Sequence, residues 1–190
     1  MPKLSTGQKG AQVGNSLAKI GRGWEDLMPR AIAQVDGLSL AHFGAPTRII
    51  GVGKTQAGRR APLVAFEGPA PLDWSGHYRG RHCEIDCKRM SVPGTAWSFI
   101  SSMSPDQVQR CQDLTAGGCL VGIALLIDEG FTCYGIPWRF LARIRATGRA
   151  SVKLLELADA LVAGQVVNLR PTGGMVELRE FVALLAGEGR

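Results

Sequence analysis

The nine residues Cys119-Leu120-Val121-Gly122-Ile123-Ala124-Leu125-Leu126-Ile127 contain no charge and no polar side chain beyond one thiol. Such a run matches a β-strand buried on both faces, as in a sheet with helices above and below it. It falls well short of the roughly 20 apolar residues a membrane helix needs, and nothing else in the chain comes closer. The fold must therefore cover both faces of this strand. The flanks supply the cover. Ser104-Pro105-Asp106 is a helix start, with Ser as N-cap and Pro at the first position, for a helix running to about Leu114 and ended by Gly117-Gly118. Phe131 to Ile136 offers a hairpin partner on the other side.

With 190 residues, 45% hydrophobic and 20% charged, the chain is sized for one compact, soluble domain. Residues 1 to 22 are rich in Gly, Lys, Gln and Ser, which implies a flexible basic arm ahead of a single domain over 23–190. Trp24, Leu27, Met28, Ala31, Ile32 and Val35 recur at helical spacing, with Pro29 the awkward member. Residues 47–53 and 62–67 form two strands separated by Lys54-Thr55-Gln56-Ala57-Gly58-Arg59-Arg60, which makes a hairpin with a basic tip. Asp73 sits on a short strand, Ser75 to Arg81 make a turn, and His82 to Arg89 return as a strand. Ser91 to Ser102 is loop or short strand. Helices follow over Pro137–Arg149, Val152–Val162 and Val176–Leu185, with a short strand at Val166–Leu169. This order gives an α/β fold with a mixed sheet, not the strict alternation of a doubly wound one. Gly51-Val52-Gly53 lacks the spacing and flanks of a phosphate or dinucleotide loop.

The net charge of +6 is unevenly spread: residues 1 to 60 hold nine Lys and Arg against three acids, and the remainder balances. A basic N-terminal third suits phosphate, and nucleic acid above all, with a merely solubilising terminus as the alternative. The five cysteines form no CxxC pair, so reduced thiols in a cytoplasmic protein are expected. Nothing at the N-terminus has the apolar core of an export signal.

The chemistry centres on Asp73 and on Glu84-Ile85-Asp86-Cys87-Lys88. Residues two apart on a strand share a face, so Asp86 and Lys88 point the same way, with Glu84 beside them and Cys83 and Cys87 opposite. If Asp73 crosses over to meet them, two carboxylates and an ammonium converge. That set, completed by the backbone carbonyl of Cys87, could hold Mg²⁺ and leave Lys88 to position a water, as metal-dependent phosphodiester hydrolysis requires. Acids and lysines also alternate on solvated strand faces, which is the bland alternative.

The segment Leu72-Asp73-Trp74-Ser75-Gly76-His77-Tyr78-Arg79-Gly80-Arg81-His82-Cys83-Glu84-Ile85-Asp86-Cys87-Lys88 resembles the PD-(D/E)xK nucleases, and among them the RecU-type Holliday-junction resolvases. The likeness extends with gaps from Gly21 to about Tyr134. It includes Arg22-Gly23-Trp24-Glu25-Asp26-Leu27, like the family's opening helix, and Ser104-Pro105-Asp106-Gln107, where the family has a Gln-bearing helix. The resemblance implies a restriction-endonuclease-like core, a basic stalk over about 47–67, and a homodimer that nicks four-way DNA junctions symmetrically with Mg²⁺ or Mn²⁺. It makes Asp73, Asp86 and Lys88 catalytic and Glu25 and Gln107 supporting residues, and it makes Arg22, Arg48, Lys54, Arg59, Arg60, Arg79 and Arg81 candidate DNA contacts. Other nucleases of that fold acting on duplex or branched DNA, and a non-catalytic junction-binding protein, are the alternatives. Three departures suggest a distant member encoded by a phage or mobile element. Asp86 stands where Glu is usual, Pro71 and Leu72 replace hydroxylated residues, and Ser104 and Pro105 replace a His-containing stretch.

Overall fold

In the computed structural model of the chain, the structure describes residues 27–43, 47–54, 60–66, 72–90, 94–127, 132–169 and 176–188, with backbone alone for 47–54 and 60–66. A helix, α1, is described over 27–32. Then come β1 (Leu38–His42), β2 (Thr47–Lys54), β3 (Arg60–Phe66), β4 (Trp74–Tyr78), β5 (Arg81–Met90), β6 (Ala96–Ser98), α2 (Pro105–Ala116), β7 (Leu120–Ile127) and β8 (Thr132–Pro137). They are followed by α3 (Trp138–Ala146), β9 (Ser151–Lys153), α4 (Leu154–Val162), β10 (Val167–Asn168) and α5 (Arg179–Ala186).

Six strands form one mixed sheet in the order β1-β4-β5-β7-β8-β10. Only β5 and β7 run parallel, from Cys83 beside Leu120 to Met90 beside Ile127, and a parallel pair needs a crossover, which α2 provides. The apolar run lies at the centre. Val121, Ile123, Leu125 and Ile127 pack into a core with Val108 and Cys111 of α2, Phe140 and Leu141 of α3, and Leu157 of α4. Leu120 and Ala124, on the other face, pack with Met28 and Ile32 beside α5's Phe181, Val182 and Leu185. The strand is thus covered on both sides, as its composition demands. Gly122 and Gly135 make room for the Phe181 ring, since a Cβ at either would come within 2.7 Å of it.

The hairpin of β2 and β3 stands as a two-stranded sheet of its own; its tip, with Arg59, lies outside the described residues. The short β6 pairs with β9, away from the main sheet.

Several expectations are corrected. The stretch Ser75 to Arg81 is mostly strand: β4 continues to Tyr78 and turns over two residues, Arg79 (φ 48°) and Gly80 (φ 79°). Positive φ at both central positions is what the type I′ hairpin turn requires. The last helix begins at Arg179 rather than Val176, and the stretch from Val152 opens as strand β9 before α4 starts at Leu154. An unforeseen edge strand, β1, pairs with β4. The expected arm over 1–22 and the start of the first helix, with Trp24 and Glu25, lie outside the described residues. No helix among the described residues is long and apolar enough to cross a membrane.

Candidate active site

Antiparallel pairing sets Trp74 opposite Ile85 and Ser75 opposite Glu84. One step further the same register brings Asp73, just before β4, to face Asp86. The backbone N–H of Cys87 donates to Asp73 Oδ2 at 2.8 Å, so Cys87 directs its peptide groups toward the side on which β4 has already ended. On a strand, the N–H and C=O of one residue point to the same edge. The Cys87 carbonyl therefore faces the edge where the Asp73 carboxylate sits. The even-numbered residues Glu84, Asp86 and Lys88 send their side chains toward α2. Cys83 and Ile85 belong to the opposite core, and Cys87 packs against it.

Asp86 has no exposed surface. Lys88 Nζ lies 2.8 Å from its Oδ2, but the approach is an ion contact and not an aligned hydrogen bond, and neither carboxylate oxygen of Asp86 accepts a hydrogen bond. Burial pushes the Asp86 carboxyl up to about 6; Lys88 opposes this and the neighbouring Asp73 carboxylate adds to it. Lys88 itself keeps 16% of its side chain in contact with solvent, so the pair lies at the edge of the core. An unsatisfied buried carboxylate costs free energy unless a partner arrives.

Glu84, two residues earlier on the same face, is equally buried but fully engaged. Arg110 of α2 holds it with Nε to Oε2 at 2.7 Å and with Nη2 to Oε1. Ser75 Oγ donates to Oε1 at 3.2 Å, and His82 Nε2 lies 2.9 Å from the same oxygen. Burial alone would raise the Glu84 carboxyl, but the hydrogen bonds from Arg110 and His82 prevail and hold it below the ordinary value. Glu84 is thus a tie between β5 and α2, which gives the spare carboxylate of the motif a structural role. Sequence reasoning missed Arg110; the available signal was its place one turn after Gln107 on the same helix.

Gln107 occupies the third position of α2 and completes a capping box: its Oε1 accepts from the Ser104 N–H, and its own N–H donates to Ser104 Oγ, both at 3.1 Å. Because α2 runs antiparallel to β5, one turn back from Arg110, about 4.5 Å along the axis, carries Gln107 toward the level of Asp86. The cap uses its oxygen and leaves the amide N–H₂ for another partner. Gln107 makes no hydrogen bond to Asp73, Asp86 or Lys88.

Arg79 and Arg81 are not brought to this site. They lie at the turn, about 17 Å of strand from Asp73, where Arg79 pairs with Glu188 at 3.0 Å and Arg81 donates to the carbonyls of Ala186 and Gly118, each at 3.0 Å. Both clamp the ends of helices. Arg22, Glu25 and Arg59 lie outside the described residues, as do the side chains of Arg48, Lys54 and Arg60. Of the later arginines, Arg149 forms a two-point pair with Glu156 at 2.7 and 2.6 Å, and Arg139 donates to the Leu184 carbonyl at 2.6 Å. All five cysteines are unpaired; burial pushes Cys83 and Cys133 each up to about 12, so neither is a nucleophile at neutral pH.

Among the described residues no three His, Cys, Asp or Glu side chains converge as a metal cluster. Two carboxylates and one carbonyl do converge. Hard oxygen donors with a fully buried carboxylate that lacks hydrogen bonds fit a small divalent cation that keeps several of its waters. No family model matches the chain, and no characterised protein proves similar to it.

Proposed function

We propose that this protein is a metal-dependent endonuclease with a restriction-endonuclease-like core, acting on branched DNA and, by the resemblance of its central segment, on four-way junctions. The observation that carries this reading is the meeting of Asp73, Asp86 and Lys88 where β4 ends and β5 runs on with only β7 beside it. The order helix, antiparallel strands, crossover helix, parallel strand supports it.

A divalent ion held between these carboxylates would supply charge for the phosphodiester transition state and an acidified water. Asp73, oriented by the Cys87 N–H, and Asp86, fixed within the sheet, would hold it with the Cys87 carbonyl. Lys88 stands on the same face within reach of a water or a non-bridging phosphate oxygen. The hairpin of β2 and β3, which carries Arg48, Lys54 and Arg60, is the element proposed to touch the DNA backbone, and a C₂ homodimer would present two such sites to opposed strands.

The test is cleavage of a synthetic four-way junction and of matching linear duplex, with Mg²⁺ and with EDTA. Paired symmetrical nicks in the junction alone, abolished by EDTA and by Asp73→Asn, are the expected result. Cutting of duplex would redirect the reading to another nuclease of the same fold. Junction binding without cleavage in either Mg²⁺ or Mn²⁺ would leave a DNA-binding protein and overturn the catalytic assignment.

A further inference from the structure

We infer that Lys88 is a built-in counter-cation to Asp86, a placeholder that competes with a divalent ion for its carboxylate. The inference rests on the metal-dependent reading above and adds a statement about how the site is loaded. Its basis is the geometry of one oxygen. Asp86 is fully buried, with both carboxylate oxygens free of hydrogen bonds, and Asp73 is pinned nearby by the Cys87 N–H. Two acids in this position need positive charge, and the Lys88 ammonium supplies it from 2.8 Å on Oδ2. An ion on the same oxygen at the ordinary metal–oxygen distance of about 2.1 Å would stand roughly 4 Å from the ammonium, where a divalent and a monovalent cation repel strongly. The two cations therefore compete for the negative charge of Asp86.

Lys suits this role. Its ammonium is a compact point charge on a flexible four-carbon stem, with three donors that can turn to a new acceptor, and part of the side chain already reaches solvent. Arg110, which holds the neighbouring Glu84, makes the opposite kind of contact: a two-point guanidinium grip that fixes a carboxylate permanently. Exchange at Asp86 would release the ammonium toward water or phosphate only once the ion is in place, so that metal loading and presentation of Lys88 become a single event.

The experiment is a calorimetric titration of the intact, DNA-free protein with Mn²⁺ and with Mg²⁺ at one fixed pH, for the wild type, Lys88→Met and Arg89→Gln. Arg89 is the neighbouring cation on β5 and faces away from Asp86 by alternation. Removal of the placeholder should tighten binding by Lys88→Met on the order of tenfold to a hundredfold, while Arg89→Gln shifts it only slightly. Equal affinities for wild type and Lys88→Met, or equal gains in both variants, would overturn the placeholder and leave the metal-dependent reading standing. Absence of binding in all three would overturn both. Should Lys88→Met fail to fold, labelling of the wild type with an amine-acylating reagent decides the matter. Modification of Lys88, located by mass spectrometry, should rise several-fold on addition of Mn²⁺, and no rise at a saturating ion concentration would sink the inference.

Discussion

Glu84 and Asp86 stand two residues apart on one face of β5, equally removed from solvent, yet Glu84 is held by Arg110, Ser75 and His82 while Asp86 meets only the Lys88 ammonium, on one oxygen, and the neighbouring Asp73 carboxylate. Burial pushes both carboxyls the same way. In Glu84 the hydrogen bonds from Arg110 and His82 reverse the shift; in Asp86 a single ion contact does not. A carboxylate that the fold keeps ionised with its own groups belongs to the scaffold. One that the fold leaves under-supplied is available to a ligand, at a cost the rest of the structure must carry.

The largest expected effect comes from cutting the tie. Arg110→Ala strands Glu84 as a buried charge, and removal of one partner from such a pair costs about 3–5 kcal/mol. Denaturant unfolding should show a loss near the lower end of that range, because Arg110 is one-third exposed. A loss below about 1 kcal/mol would erase the distinction drawn between the two acids, since Glu84 would then tolerate isolation as Asp86 does.

Next in size is Asp86→Asn in the metal-free protein. The Asp86 carboxyl is raised from 3.8 to about 6 on folding, so the folded chain holds that proton more tightly than the unfolded one. Stability is unaffected below about pH 4 and falls as pH rises through 6, and above about pH 7 the penalty reaches its full size of about 3 kcal/mol at most. Asn carries no such penalty. At pH 7.5 in EDTA the variant should melt higher than the wild type, and at pH 4 the two should coincide. A wild type as stable as Asp86→Asn at pH 7.5 would mean that Lys88 already satisfies the site.

Glu84→Gln should show the reverse sign. A carboxyl held below its ordinary value stabilises the fold above pH 5, and that contribution is lost as pH falls through the depressed value. The variant should therefore be less stable at neutral pH, by about 1 kcal/mol, and converge with wild type in acid. Opposite signs for two isosteric changes two residues apart are the sharpest form of the comparison; the same sign in both would dissolve it.

What the sequence made legible follows from range. The convergence of Asp73, Asp86 and Lys88 depends on strand alternation and on one hairpin register, both local, and the central strand depends on composition alone. The turn was misplaced because Gly76 imitates a turn residue. Its real cause is close approach, since a Cβ there would sit 1.9 Å from the Ser39 carbonyl oxygen. That contact belongs to β1, a short edge strand whose residues from Ser39 to His42 all keep solvent contact and so give only a weak apolar pattern. The partners of Arg79, Arg81 and Arg110 are set by where α2 and α5 land against the sheet, with 109, 105 and 26 residues of separation. No local pattern encodes them. Features set by strand alternation and one hairpin register could be read; the two-point grip of Arg110, which does most to distinguish Glu84 from Asp86, depends on where a helix packs and could not.

The smallest effect separates a buried tie from an exposed one of similar geometry. Arg149 grips Glu156 through two hydrogen bonds, as Arg110 grips Glu84, and the pair holds the Glu156 carboxyl down at about 2, chiefly through the Arg149 hydrogen bonds. Both side chains are more than one-third exposed. Water and salt therefore replace most of what the pair provides, and side-chain entropy offsets part of the rest. Arg149→Ala should shift the thermal midpoint only slightly at low ionic strength and not measurably in 1 M salt. Arg110→Ala should remain destabilising in both. Equal salt sensitivity in the two variants would show that solvent reaches Glu84, and that its contrast with Asp86 owes more to charge than to burial.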